Sequence, residues 1–209
     1  MNAYLHRSED RGHVKAGWLE SYHSFSFGSW YDPKYMGVSA LRVINDDQID
    51  AHNGFGTHSH DNMEILTCVL DGAISHRDTM GNEGQIKAGE WQLMSAGTGV
   101  AHSEINNTDT PVHLLQIPRK DPNKWHLIAG PDANAPMHIR QNAEVKSAVL
   151  EKGHELTVDT VKKVNYVHVI SGVVRIGDQE VKAGDALVFE DKATIHATED
   201  SQFIWFDLP

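Results

Sequence analysis

Residues 54–64 read GFGTHSHDNME. His58 and His60 stand two apart, and residues i and i+2 of a β-strand face the same side, so both imidazoles can address one point. A second pair with the same spacing, His102 and Glu104, follows in GTGVAHSEIN. Two strands facing across a small barrel would then offer three nitrogens and one carboxylate oxygen. That donor set suits a catalytic ion with open positions, such as iron(II), manganese, nickel, copper or zinc. No sulfur is offered: the chain has one cysteine, Cys68, so neither a cysteine zinc cage nor an intrachain disulfide can form. Glu64 shares the parity of His58 and His60, so spacing alone leaves Glu64 and Glu104 competing for the carboxylate position.

Such groups need strands to hold them, and strand-like segments dominate the chain. Ser39–Ile44, Glu64–Leu70, Val112–Ile117, Val164–Ile170 and Phe203–Leu208 are short and rich in β-branched or aromatic residues. Turn signals separate them, among them Asp71-Gly72, Ala88-Gly89, Ser171-Gly172 and Ala183-Gly184. No segment of helix length carries a strong helical period, beyond a possible short turn in the middle. There is also an internal repeat. VLDGAISHRDTMGNEGQIKAGEWQLM (69–94) and VISGVVRIGDQEVKAGDALVF (169–189) share a strand, a glycine turn, a second strand and a Lys-Ala-Gly-acid turn before a third. The expectation is an all-β chain of two barrels, residues 1–118 and 119–209, joined through the Pro- and Gly-rich stretch 118–136.

Composition narrows the function classes. The chain has 209 residues, 40% of them hydrophobic, enough for a real core. Acidic residues outnumber basic ones, 29 to 18, for a net charge of −11, which argues against nucleic acid as the main partner. The imbalance is mostly in residues 1–118, where 15 acidic and 7 basic residues give −8. The N-terminus lacks the apolar core of a signal peptide, and no stretch approaches a membrane span, so a cytoplasmic protein without membrane contact is expected.

The residues resemble the cupin superfamily and, within it, the pirins. The first cupin motif is matched by His58-Ser59-His60, Glu64 and Gly72. The second is matched by Gly89, Ser95-Ala96-Gly97-Thr98-Gly99, His102 and Asn106, with Ser95 in place of the usual proline and a longer turn, as in pirins. The pirin likeness extends through Arg11-Gly12-His13, Gly17-Trp18-Leu19, His23-Ser24-Phe25-Ser26-Phe27, Tyr31-Asp32-Pro33 and Ala40-Leu41-Arg42-Val43-Ile44-Asn45-Asp46-Asp47. It is close over about residues 5–117 and loose beyond. It implies two cupin barrels (double-stranded β-helix, or jelly roll) in tandem. It also implies one divalent transition metal on His58, His60, His102 and Glu104, with Glu64 a buried neighbour. Iron(II) is the first expectation, with manganese, nickel, copper, cobalt or zinc as alternatives. The second half has no HxH or HxE; His196 sits near the position of His102 without partners, so that barrel is expected to be structural. The connection at 118–123 is shorter than pirins usually have, which bears on substrate choice rather than on the metal.

The activity implied is that of a quercetinase-like dioxygenase opening a flavonol ring with O₂ and releasing carbon monoxide, in a monomer. The metal would lower the pKa of the substrate's enolic hydroxyl, and Glu104 would take its proton as general base. The alternatives are a non-catalytic, metal-dependent regulator that binds another protein and a zinc cupin isomerase or hydrolase. Other candidates receive structural readings. His52 and His76 are expected at the surface or in loops, and His113 partly buried on a strand. His13 and His23 are assigned structural places, and Cys68 is read as a small buried group. Gly97-Thr98-Gly99 is not a nucleotide loop, since no helix pattern follows it. Phe25, Phe27, Trp30 and Phe55 are assigned to core packing before a pocket mouth.

Overall fold

The computed structural model describes residues 3–115 and 121–209. Their regular structure is β-strand apart from one 3-10 turn, Ser8–Asp10. No helix among them is long and apolar enough to cross a membrane. The expected junction at 118/119 and part of the connection at 118–123 lie outside the described residues.

The chain forms two compact units, and neither is one continuous stretch. One comprises Gly12–His23 and Asn45–Pro118; the other comprises Met1–Arg11, Ser24–Ile44 and Arg119–Pro209. The first unit has two sheets. Six strands run in the order Gly12–Ala16, Leu19–His23, Asn45–Ile49, Val112–Leu114, Glu64–Asp71, Trp91–Ser95. Four run Gly54–His60, Val100–Ile105, Ala73–Asp78, Glu83–Lys87. The second unit is built likewise. Seven strands run Ala3–His6, Ala186–Phe189, Val164–Ser171, Ser201–Leu208, Glu144–Leu150, His126–Gly130, Met137–His138, and four run Glu155–Val158, Ala193–Ala197, Val173–Ile176, Gln179–Lys182. Each unit is thus a double-sheet all-β module of the cupin kind.

The sequence repeat is a repeated hydrogen-bond frame. In one unit Gly89 N–H donates to Val69 O at 2.9 Å, Ala88 N–H to Gly72 O at 3.0 Å and Glu90 N–H to Lys87 O at 2.8 Å. In the other, Gly184 N–H donates to Val169 O at 2.7 Å, Ala183 N–H to Gly172 O at 3.1 Å and Asp185 N–H to Lys182 O at 2.9 Å. The acid that follows each Lys-Ala-Gly closes its own turn. Glu90 accepts from Lys87 N–H at 2.8 Å, and Asp185 from Lys182 N–H at 3.1 Å. Gly72 and Gly172 turn at φ +77° and +78°, a conformation that glycine adopts without steric cost.

Two expected strands differ. Ser39–Ile44 is not a strand: a tight turn pairs Val38 with Leu41 in both directions, with Ser39 at φ +51°, and the regular strand begins at Asn45. The apolar run in that segment misled, because burial of Ile44 needs no ladder. The strand expected over Val112–Ile117 covers Val112–Leu114; Leu115 turns to φ +128°, and 116–117 lie outside the described residues.

Candidate metal centre

Strands Gly54–His60 and Val100–Ile105 pair antiparallel, with His102 opposite His58 and Val100 opposite His60. The register slips between His102 and Glu104, so Glu104 meets Phe55 rather than Gly56. The strand from Gly54 therefore carries one extra residue at Gly56-Thr57, a bulge that brings Phe55 onto the side of His58. Their rings lie 6.3 Å apart.

The three histidines converge. Ring centroids are 4.8 Å apart for His58–His60, 4.4 Å for His58–His102 and 5.0 Å for His60–His102. One ring nitrogen from each lies within 4.8 Å of the others. His58 Nδ1 lies 2.9 Å from the carbonyl of Gly56, which can only accept, so Nδ1 carries the proton and Nε2 keeps its lone pair. His102 is 3% exposed, and its Nε2 is buried with no hydrogen-bond partner. A buried ring nitrogen without a partner costs about 1–3 kcal/mol unless something fills its place. Burial lowers the pKa of His102 to about 4, with His58, His60 and His76 adding to the effect and Asp78 opposing it. Burial also lowers His60, and His58 adds to it. Neutral imidazoles at neutral pH are what a cation requires of its ligands. The orphaned Nε2, the lowered pKa values of His60 and His102 and the all-nitrogen donor set fit a transition-metal ion.

Glu104 lies beside this trio without lying within it. Its carboxylate groups instead with His76 and His102, again within 4.8 Å. Thr67 Oγ1 donates to Glu104 Oε1 at 3.3 Å. Burial pushes its carboxyl pKa up, against the pull of His76, His58 and the Thr67 hydroxyl. Glu64 sits apart from both groups. Asn62 turns the chain at φ +52°, and Glu64 opens a strand of the other sheet, where Ser95 Oγ donates to it at 3.5 Å. It is partly exposed rather than buried, because parity along a strand does not carry through a turn.

His76 is the site residue that sequence reasoning missed. Expected at the surface, it is 3% exposed, with its Nδ1 3.3 Å from His102 Nδ1 and its Nε2 3.5 Å from Asp78 Oδ2. The signal was present: His76-Arg77-Asp78 repeats the i, i+2 spacing on a strand whose Ile74 and His76 are both buried. Asp78 is held near pKa 2, chiefly by the Asn82 side chain.

The remaining candidates fall outside the cluster. His52 bonds the exposed Asp109 at 3.0 Å, and His113 bonds Asp46 at 2.6 Å from a partly buried place. His13 stacks on Tyr22, while His23 and Cys68 are buried. Phe25 is buried against Tyr166 of its own unit, Phe27 is exposed, and Trp30 is partly exposed. Gly97 and Gly99 form the turn into Val100–Ile105, where Gly97 O accepts from Asn62 N–H at 2.8 Å. His196 faces outward and pairs with Glu155 at 3.2 Å. Burial alternates along its strand, so Ala193, Ile195 and Ala197 take the inward places.

Known proteins match the chain over nearly its whole length. The pirin family model covers residues 5–118, and that of the quercetinase C-terminal cupin domain covers residues 127–208. The chain is 41% identical to quercetin 2,3-dioxygenase of Escherichia coli K12, over 99% of this chain and 98% of that protein. It is 37% identical to a pirin-like protein of Caulobacter vibrioides, over 94% and 95%. The structure of E. coli YhhW superposes with a TM-score of 0.93 at 40% identity, covering 99% of this chain and 97% of that one. A structure described as bacterial pirin YhhW in complex with nickel(II) gives 0.90 at 38% identity, covering 99% of each. With both family models matched and both barrels present, the chain belongs to the pirin family of two-barrel cupins.

Proposed function

We propose that this chain is a metal-dependent dioxygenase that opens flavonol-type phenolic substrates with O₂. One divalent transition metal would be held on His58, His60, His102 and Glu104. The observation that carries the reading is the convergence of His58, His60 and His102, one ring nitrogen of each within 4.8 Å of the others, together with the buried, partnerless Nε2 of His102. A relative named quercetin 2,3-dioxygenase and a nickel(II)-bound pirin support the substrate class and the metal. Iron(II) is our first assignment among the ions that a three-imidazole, one-carboxylate set accommodates.

When bound, the ion supplies Lewis acidity to the substrate's enolic oxygen and a redox partner for O₂. The chain's own residues do the rest. Gly56 O holds the His58 ring with Nε2 free. Glu104 takes the proton of the enolic hydroxyl on a carboxylate oxygen; its raised pKa makes it a stronger base than an exposed carboxylate. Thr67 donates to Glu104 Oε1 and steadies the carboxylate. Phe55, edge-on to His58, offers an aromatic wall to a planar substrate.

Protein purified without chelator is expected to hold about one transition metal per chain. Quercetin absorbance should then fall only with O₂ present, with carbon monoxide released. Full metal loading without O₂-dependent loss would overturn the enzyme reading in favour of a metal-dependent regulator.

A further inference from the structure

From the chain of contacts His102–His76–Asp78 we infer that His76 is a positioning residue. It fixes the tautomer in which His102 presents Nε2 as a metal ligand, and Asp78 fixes His76 in turn. The inference rests on the metal site proposed above and adds to it a residue outside the ligand set.

The two Nδ1 atoms of His76 and His102, 3.3 Å apart, can share only one proton. If His76 were the donor, His102 would carry its proton on Nε2, a buried N–H without an acceptor. His76 would also turn a bare Nε2 lone pair toward the Asp78 carboxylate. If His102 is the donor, both faults vanish. His102 Nε2 is then a lone pair, the ring nitrogen that the contact with His76 leaves open for a metal, and His76 Nε2–H points at Asp78 Oδ2, 3.5 Å away.

Asp78 is well placed to end the chain. Its Oδ1 accepts Met80 N–H at 2.9 Å and Asn82 N–H at 3.0 Å, and its Oδ2 accepts Asn82 Nδ2–H at 2.9 Å. Three donors from one turn favour the carboxylate form and hold it still. The turn between Ala73–Asp78 and Glu83–Lys87 thereby orients a side chain on a different strand. Buried imidazoles oriented by such outer contacts lose about 10–100-fold in metal affinity when the contact is removed.

The test has two arms. In the metal-free chain, ¹⁵N NMR of the imidazoles should show His102 protonated on Nδ1. Chelator competition with nickel(II) should show one equivalent per chain, bound about 10–100-fold more weakly in His76→Phe, which has no acceptor. His76→Asn places an acceptor where Nδ1 stood and should recover most of that loss. A His102 protonated on Nε2 overturns the relay, as does a His76→Phe chain that binds nickel(II) as tightly as the parent. Loss of a whole second equivalent also overturns it, making His76 a ligand itself. Should the parent bind no nickel(II), the metal reading fails, while the NMR arm still decides the tautomer.

Discussion

The strand pair Ala73–Asp78 and Val100–Ile105 places His76 opposite Glu104 and turns His102 inward. The corresponding pair in the other unit, Val173–Ile176 and Ala193–Ala197, places Ile176 opposite Ile195. Counted from Gly72 and Gly172, Ile176 stands where His76 does. Ala193, two residues before Ile195, stands where His102 does relative to Glu104. The polar places of one interior are apolar in the other. Fifteen buried side chains form one cluster there, including Val167, Ile176, Leu187, Ile195 and Phe203. Among the described residues, the histidine-bearing unit has smaller clusters, one around Ile49 and Ile74 and one around Met94. One hydrogen-bonded frame thus tolerates two interiors: the frame is closed by backbone groups, and the inward side chains are free to specialise. The apolar interior contributes burial energy, whereas the other gives up part of that energy to hold His76 and His102 out of water.

Several measurements can break this contrast. His58→Ala should abolish metal retention, whereas His196→Ala should leave it at the parental level. Metal analysis after gel filtration decides, and a metal lost with His196 would destroy the division of labour. Ile195→Ala should cost about 2–5 kcal/mol in chemical denaturation, because it empties a fully buried place. A cost under ~1 kcal/mol would show that the apolar interior is loosely filled.

Asp47 sharpens the contrast through pH. Burial pushes its pKa up to about 6, with Asp46 and Glu104 adding and the Ser21 hydroxyl opposing. The folded, metal-free chain therefore holds this proton more tightly than the unfolded one, and stability falls as pH rises from about 4 through 6. Asp47→Asn should be more stable than the parent by roughly 1–2 kcal/mol at pH 7, with the difference shrinking toward pH 4. A difference independent of pH would place the effect elsewhere. The smallest effect is expected at His196→Ala itself, within about 0.5 kcal/mol, since its pair with Glu155 is exposed.

Much of the site was legible in residue types and spacing. His58, His60 and His102 were recognisable because alternation within a strand is local, and the repeat because its turns need glycine at fixed places. The errors arose where local rules stop. Glu64 has the right parity but lies beyond the turn at Asn62. His76 carried the same spacing signal as the ligands, yet nothing along its own strand shows which residue it meets across the sheet. Ser39–Ile44 has strand-like composition and no ladder to join.

The amino-acid sequence by itself marked the candidate histidine trio, the two-barrel frame and the family, because residue chemistry and turn conformation are properties of single residues and short spacings. Only the tertiary structure decided that Glu104 stands with His76 and His102, and that the second interior is closed with isoleucine and alanine. Those facts depend on register between strands far apart in sequence, where a bulge of one residue changes which side chains meet.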